Sequence, residues 1–580
     1  MAATTTNTEL IGFKHFFPGT LPYCKEYYGA QVGKEKLRTL TCYFLGFFKF
    51  PVPSNHHMIR HCFSTANKGY AEALDAYNRN ATTGRNYAIL NVESLLRLYE
   101  WTRKAAIPET VSLTVKEEQY AETCMFSLML LFNDEVLKDY QYLVDSINGS
   151  AEEYSLQKML LAMSFSQNDL VNPDYAQLLY TQLYKLMELM KFIEGDPLYR
   201  PLYNALLKAY DVADKSELVR AFGAVVVGII KSDAAGWTIL EAAEEKDRAF
   251  LTKMAIEDAA LFMQDDYLEI RNKPFEKISE SEYRIIFDVF MIKKLYNGSY
   301  FKLLELSEND RSLFARSFAG SFKNDFSEGF LVYDVIGKIF PRQADTKIAG
   351  NDFKAVKMLV EPDYYVRTGD NKQLLFESKD FYVAGAIKAS YDYPRIEREL
   401  KKRLYKHETD GKTKNGAVLQ LVTNVKRSLE NNFILDKDYN MATLEIYPCM
   451  LVHDALYSAV GLNFEGNQWF NHELGQLKAD TAFSSFDFSR IFPLTIIEID
   501  TLILYQKYLS LPEHRLDSLI REFHAQVKLN FEGPYVSHTA IEQHVYGSVL
   551  PFSEFVRHYF LQQNIHPDMA PLSVLIAGMG

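Results

Sequence analysis

Hydrophobic periodicity divides the chain into two parts. From about residue 60 to residue 300, apolar residues recur at three- and four-residue steps, which predicts successive amphipathic helices. The clearest of these helices has Leu179, Leu183, Leu186 and Met190 on one face and begins at Asn172-Pro173, an N-cap followed by a first-turn proline. Strand-like patterns are interspersed with helical ones after residue 300. We therefore predict a mixed α+β protein with a mainly helical region at 1–302 and an α/β domain at 303–580.

The strongest strand pattern runs from residue 356 to residue 379. Val356, Met358 and Val360 alternate as in a strand, Thr368-Gly369-Asp370-Asn371 predicts a turn, and residues 374–379 predict the returning strand. In that returning strand, alternation places Glu377 and Lys379 on the same face.

Asp363, Glu377 and Lys379 are expected at one end of this hairpin. Two carboxylates bind a hard cation such as Mg²⁺, and a neighbouring ammonium can orient a water molecule or offset charge on a phosphate. The pattern therefore predicts a metal-dependent site for phosphodiester chemistry.

The elements around the hairpin follow a defined order. Phenylalanines at four-residue spacing, from Phe314 to Phe326, predict a helix before it that includes Glu328 on the face of Val332 and Val335. After the hairpin comes the segment 415–422, which contains Gly416 and Gln420. Strands are expected at 443–452 and 494–499.

Pro362-Asp363 and Glu377-Ser378-Lys379 resemble the motif of the PD-(D/E)XK nuclease superfamily, and the order of elements in roughly the last half of the chain is similar to its core. The resemblance implies a restriction-endonuclease-like core with a mixed central sheet. It implies that Asp363 and Glu377 hold Mg²⁺, or Mn²⁺, that Lys379 serves the attacking water, and that Gln420 and Glu328 assist. It also favours DNA over RNA. A helical module joined to such a nuclease is similar to bacterial restriction and antiviral defence proteins.

Several alternatives stay open at this point. Glu361 lies two residues before Asp363 and offers a second acid, while Asp325 and Asp334 compete with Glu328. An acid, an acid and a lysine at one fixed spacing arise by chance about once in a chain of this length and charge. The opposing interpretations are an ordinary hairpin with surface charges and a nuclease-like scaffold that has lost its activity.

The charge distribution narrows the class of partner. A formal net charge of −12 argues against a protein that coats nucleic acid, but a local basic strip follows the hairpin. We predict that this strip contacts nucleic acid, against the alternative of a solvated helix face interspersed with Glu397 and Glu399. Its members are Lys388, Arg395, Arg398, Lys401, Lys402 and Arg403.

Composition predicts a cytoplasmic protein with no membrane span. The five cysteines are widely spaced among apolar neighbours, as expected for reduced, buried thiols, and the N-terminus lacks a signal-peptide pattern. The longest apolar run, 221–230, is too short to cross a bilayer. The helical region would serve sensing, docking, homo-oligomer formation or a partner protein.

Other motifs do not support a different chemistry. Gly411-Lys412-Thr413 lacks the first glycine of a phosphate-binding loop, and residues 408–414 are expected to form an exposed loop. His472-Glu473 has Gln476 where a zinc protease needs its second histidine. The Cys/His cluster at Cys42, His56, His57, His61 and Cys62 matches no standard zinc spacing, and His453-Asp454 is interpreted as a polar strand end.

Overall fold

A computed structural model describes most of the chain. The described residues are 8–49, 63–64, 67–70, 72–73, 76, 86–148, 155–170, 174–232, 238–257, 265–409, 412–527, 545 and 547–569. They form a mixed α+β structure, as the sequence predicts.

Helices dominate the first 310 residues, as expected from the three- and four-residue periodicity. They span Phe13–Phe16, Lys25–Val32, Lys34–Gly46, Val92–Lys104, Val115–Asn148, Ser155–Gln167, Tyr175–Gly195, Arg200–Tyr210, Lys215–Lys231, Glu245–Lys253, Leu268–Asn272, Asp288–Lys293 and Ser299–Asn309. Short strands lie between them: β1 (Thr8–Leu10) and β2 (Asn86–Ala88) pair in parallel, while β3 (Ile239–Glu241), β4 (Phe275–Lys277) and β5 (Glu282–Ile285) form an antiparallel sheet in the order β3-β5-β4.

The helix Tyr175–Gly195 confirms the clearest periodicity in the sequence. Its stripe residues Leu179, Leu183, Leu186 and Met190 are all buried. Asp174 caps it, accepting a hydrogen bond from the Gln177 N–H at 3.0 Å. The predicted N-cap at Asn172-Pro173 lies outside the described residues.

Helices after residue 310 surround a larger sheet. They span Phe318–Phe322, Tyr333–Ile339, Gly350–Ala355, Gly385–Lys388, Tyr393–Leu400, Ala417–Leu429, Leu462–Ala479, Ile499–Leu509, Leu516–Gln526 and Phe552–Gln562, with π-helical segments at Lys323–Val332 and Lys401–Tyr405. A further π-helical segment, Lys294–Gly298, precedes the helix Ser299–Asn309. The π-helical segment Lys323–Val332 joins two α-helices into one Phe-rich helix, from Phe318 to Ile339.

The central sheet has five strands in the order β12-β11-β8-β7-β6. Strands β6 (Thr346–Ala349), β7 (Tyr364–Arg367) and β8 (Lys372–Lys379) form an antiparallel meander. Strand β11 (Glu445–Val452) then pairs in parallel with β8, and β12 (Thr495–Glu498) in parallel with β11. Helices Ala417–Leu429 and Leu462–Ala479 make the two crossovers that parallel pairing requires.

Both faces of this sheet are covered. Tyr364, Val366, Leu374 and Phe376 belong to a core shared with the N-terminal helices and the Phe-rich helix; we call this the helical face. Tyr365 and Leu375 belong to a second core with residues of the two crossover helices; we call this the crossover face. The even and odd residues of β8 therefore project into different layers.

The strand predicted at 356–360 is wrong. The helix Gly350–Ala355 ends there, and Lys357 and Val360 take positive φ angles of 59° and 55°. A β-branched residue such as Val360 in that region cannot belong to a regular strand. Val356 and Val360 are exposed while Met358 is buried, so the apolar alternation marks a turn rather than a strand. The loop predicted at 408–414 is also wrong, because β9 (Lys406–Thr409) and β10 (Lys412–Asn415) form an antiparallel hairpin.

The predicted domain boundary at 302/303 does not divide the structure. It falls inside the helix Ser299–Asn309, and one hydrophobic core extends from the N-terminal helices to the helical face of the sheet. Lys185 of the helix Tyr175–Gly195 forms an ion pair of 2.8 Å with Asp500, and Tyr199 donates to Asp325 at 3.0 Å. The two predicted parts therefore pack as one unit.

Among the described residues, no helix is both long enough and apolar enough to span a membrane. The apolar run 221–230 lies in the helix Lys215–Lys231, where Phe222, Val225 and Val226 are buried. Cys42, Cys124 and Cys449 are buried free thiols, as predicted, but Cys24 is exposed. His56, His57, His61 and Cys62 lie outside the described residues.

A glycine-to-alanine pair tests how tightly the segment before β7 is packed. A Cβ at Gly350 would lie 3.0 Å from the Asp363 carbonyl oxygen and 3.1 Å from that of Pro362, whereas one at Gly337 would meet nothing within 4 Å. We expect Gly350→Ala to lower the free energy of unfolding by roughly 1–3 kcal/mol. Gly337→Ala, in a helix, should raise it by about 0.5–1 kcal/mol. Denaturant unfolding measures both, and equal effects would contradict the packing described here.

Candidate active site

The hairpin register brings Asp363 beside the end of β8. Tyr364 pairs with Phe376, so the residue before Tyr364 lies next to Glu377. The Ser378 N–H donates to Asp363 Oδ2 at 2.6 Å, and the Gly350 N–H donates to the Asp363 carbonyl oxygen at 2.9 Å. Asp363 is thus fixed through both its side chain and its backbone.

Glu377 and Lys379 contact each other, as strand alternation predicts. Lys379 Nζ donates to Glu377 Oε1 at 2.7 Å. Glu377 is fully buried, and its second oxygen, Oε2, has no hydrogen-bond partner among the described residues. A buried carboxylate oxygen without a partner is costly, so this position calls for a cation or a donor.

The Phe-rich helix contributes Glu328. This residue lies in the π-helical segment Lys323–Val332, a geometry that is rare and frequent at functional sites. Its side chain contacts Lys354 Nζ at 3.2 Å, and it lies close enough to Asp363 for the two charges to interact. The alternatives Asp325 and Asp334 bond elsewhere, to Tyr199 and Tyr184, each at 3.0 Å. The structure therefore brings Glu328, of these three acids, to Asp363.

Glu361 has a different surrounding from Asp363. Its carboxylate lies 3.6 Å from Lys354 Nζ, while Asp363 accepts the Ser378 N–H of β8. Of the two acids flanking Pro362, Asp363 is the one that contacts the strand bearing Glu377.

Burial raises the pKa of all three acids, and the Asp363 charge adds to the shift at Glu377 and Glu328. Burial, followed by the Asp363 charge, raises the pKa of Glu377 to about 8 against the opposing effect of Lys379. Burial and Asp363 likewise raise the pKa of Glu328 to about 7. Burial raises the pKa of Asp363, although Lys379 and the Ser378 N–H oppose the shift. Three carboxyl groups against the two ammonium groups of Lys379 and Lys354 leave an excess of negative charge in a poorly solvated place.

The carboxylates of Asp363 and Glu377 fit Mg²⁺ if water and substrate supply its remaining ligands. Within the part of the chain that the structure describes, no group of three or more Asp, Glu, His or Cys side chains is arranged to hold a metal ion by itself. Mg²⁺, however, is commonly bound through one or two carboxylates, with water and substrate phosphate completing its shell. Asp363 and the unpartnered Glu377 Oε2 supply that minimal set.

Gln420 lies on the expected element but is not joined to the acids. It is half-buried near the start of the helix Ala417–Leu429, which covers the crossover face, towards which Leu375 and Glu377 project. Among the described residues, no hydrogen bond joins its side chain to Asp363, Glu377 or Lys379.

The basic strip needs one correction. Lys388 is 4% exposed and forms ion pairs with Asp169 and Asp266, both at 2.7 Å, so it is not available to a phosphate backbone. Lys401 and Arg403 pair with Glu397 and Glu399 at 2.8 Å and 2.7 Å, as the solvated-face alternative predicts. Arg395, Arg398 and Lys402 are exposed and form no ion pair within the described residues.

Ser378 of β8 and Asp380, just after the strand, belong to a polar cluster that the sequence did not reveal. Ser378 Oγ lies 2.8 Å from His453 Nε2, and Ser327 Oγ donates to Asp380 Oδ2 at 2.5 Å. His453, interpreted from sequence as an ordinary strand end, is buried, and burial lowers its pKa. It follows Val452, which pairs with Lys379 in the parallel register of β11 and β8. The position of His453 beside Ser378 can be identified only from the register between β11 and β8.

No protein-family model, curated protein or solved structure matches the chain. What the site does is therefore inferred from its geometry.

Glu377→Gln tests the electrostatics without any assay of activity. The folded-state pKa of Glu377 lies above its ordinary value of 4.5, so the stability it contributes is complete below pH 4.5 and is lost as pH rises towards about 8. In the absence of divalent cations, Glu377→Gln should therefore stabilise the fold by about 1–3 kcal/mol at pH 8 and much less at pH 5.

Divalent cations provide the second half of that test. Mn²⁺ should raise the melting temperature of the unsubstituted protein, and Glu377→Gln should remove most of the increase. Asp325→Asn is the matched control, since Asp325 bonds to Tyr199 and should leave the Mn²⁺ response intact. An equal Mn²⁺ response in all three proteins would contradict a metal role for Glu377.

Proposed function

We propose that the protein is a metal-dependent nuclease of the PD-(D/E)XK type. The observation that carries the proposal is the buried Asp363 and Glu377 pair with Lys379 at the end of a meander, where Glu377 Oε2 has no partner among the described residues. Buried acids with strongly shifted pKa values beside a specific charged partner are characteristic of catalytic sites.

The sheet supports a restriction-endonuclease-like core. An antiparallel meander, a crossover helix and a parallel strand follow one another in the order that the resemblance implies, with the motif acids on the central strand and just before its neighbour. Fold alone does not determine activity, so the carboxylates and the lysine carry more weight than the topology.

Each residue has a defined role in this proposal. Asp363 and Glu377 would hold Mg²⁺, or Mn²⁺, which when bound stabilises negative charge on the phosphate and makes water a better nucleophile. Lys379, already held by Glu377, would orient that water, and Glu328 would adjust the charge at the site through its electrostatic interaction with Asp363. The water oxygen forms a bond to phosphorus, a phosphorus–oxygen ester bond breaks, and a proton from the water reaches the leaving oxygen through solvent.

The proposal also includes the substrate and the biological role. DNA is favoured over RNA because most PD-(D/E)XK nucleases act on DNA, and the large helical region is similar to those of bacterial antiviral defence nucleases. The cytoplasmic location and a homo-oligomer or partner protein at the helical region also stay predictions.

One observation favours a second candidate, a nuclease-like scaffold that binds nucleic acid without cleaving it. Lys379 neutralises Glu377 directly, and both groups lie in a poorly solvated place that could be stable without metal. The discriminator is metal binding, because a scaffold of this kind needs no Mg²⁺ or Mn²⁺.

The first prediction concerns cleavage. Plasmid, single-stranded DNA and RNA are incubated with and without Mg²⁺, and we expect Mg²⁺-dependent cleavage of DNA. Glu377→Gln and Lys379→Met should each reduce the rate about 100-fold or more, since they remove a metal ligand and the water-orienting group. Asp325→Asn serves as the matched acid control. Cleavage that persists in both site variants would exclude this site, and binding without cleavage under all conditions would favour the scaffold.

A further prediction concerns the exposed cations of the basic strip. Replacing Arg395, Arg398 and Lys402 by alanine should weaken DNA binding across sequences, and it should flatten the dependence of affinity on salt by nearly one slope unit per lost phosphate contact. The matched control replaces Lys401 and Arg403 by glutamine, because both already pair with glutamates. Binding is measured by fluorescence anisotropy across a salt series. An unchanged slope in the triple variant would show that this face is only solvated.

A further inference from the structure

A cavity of about 350 Å³ lies beside the segment that follows β8. Phe381, Tyr382 and Val383 form one side, and the continuous helical stretch from Asp288 to Asn309 forms another. Its volume is in the range of small-molecule sites. Asp363, Glu377 and Lys379 do not line it, so it is separate from the candidate active site.

Most charged groups at this cavity neutralise one another. Asp169 and Asp266 each pair with both Lys388 and Arg271, at distances between 2.7 and 3.0 Å. Lys302 pairs with Glu305 at 2.8 Å. These paired groups build the wall and leave little charge for a ligand.

Lys294 is different. It forms no hydrogen bond or ion pair with any described residue, although it lines the cavity. Its neighbour Lys293 donates to the Asp169 carbonyl oxygen at 2.8 Å. Burial, together with the nearby Lys302, lowers the pKa of Lys294 to about 8. A partly buried ammonium that lacks an acceptor is offset best by an anion from outside the protein.

The cavity also offers an aromatic surface. Phe301 is 42% exposed, and its ring centroid lies 4.9 Å from that of Tyr382. An exposed phenylalanine at a cavity wall provides a face on which a flat ring can stack.

We propose that this cavity binds a nucleotide, either free or at the end of a nucleic-acid strand. The phosphate would meet Lys294, and the base would stack on Phe301. One ligand class thus accounts for an unpaired cation and an exposed aromatic face at one cavity. The proposal does not rest on nuclease activity, because it concerns binding at residues outside the candidate active site.

The test measures binding to the full chain by isothermal titration, without divalent cations. The probes are AMP, adenosine, inorganic phosphate, tyrosine and a short single-stranded DNA with a 5′-phosphate. We expect AMP or the DNA end to bind, and adenosine and phosphate to bind at least about tenfold more weakly, since each lacks one recognised group.

Variants locate the binding. Lys294→Met and Phe301→Ala should each weaken nucleotide binding about tenfold. Lys208 is an exposed lysine on the helix Arg200–Tyr210, and Lys208→Met should leave the affinity unchanged. Phe301 is 42% exposed and so contributes less to the core than a buried phenylalanine, and its variant should fold even if the lysine variant does not. If AMP binds, the cavity accepts a free nucleotide. If only the DNA binds, the cavity requires the end of a strand.

Three results would overturn the proposal. The first is no binding of AMP or DNA at millimolar concentration. The second is nucleotide binding that neither Lys294→Met nor Phe301→Ala weakens. The third is binding of phosphate alone, or of tyrosine, as tight as that of AMP, because the recognised chemistry would then not be that of a nucleotide.

Discussion

The desolvation of the Glu377 carboxylate is the constraint on which the site depends. Strand β8 lies between β7 and β11 and is covered on both faces, so a charged side chain near its end cannot reach bulk water. Burying an isolated carboxylate costs on the order of several kcal/mol of free energy. A directly bonded cation is needed to offset a cost of that size. Lys379 supplies part of that compensation, and the unpartnered Oε2 shows that it is incomplete.

The surrounding elements hold the carboxylates of Asp363 and Glu328 near Glu377. The helix Gly350–Ala355 anchors the backbone of Asp363 through a glycine at which a side chain would crowd that backbone. The π-helical segment of the Phe-rich helix brings Glu328 to Asp363. These supports are rigid and mostly apolar, which is the setting in which fixed charges interact most strongly.

The helical region is part of this arrangement rather than an appendage. Its helices complete the core on the helical face of the sheet, and Lys388, expected to face nucleic acid, instead bonds to Asp169 and Asp266 within that interior. The same junction forms the cavity beside Phe381–Val383, a few residues beyond Lys379.

The sequence by itself determined the elements that depend on local pattern: the helices, the hairpin turn, strands β8, β11 and β12, and the shared face of Glu377 and Lys379. These follow from periodicity, which is set by residues near one another in the chain. Tertiary structure alone decided that 356–360 is a turn, that Glu328 and not Asp325 faces Asp363, that Lys388 is buried, and that His453 meets Ser378. Each of these depends on contacts between distant segments, which a pattern of apolar and polar residues does not encode.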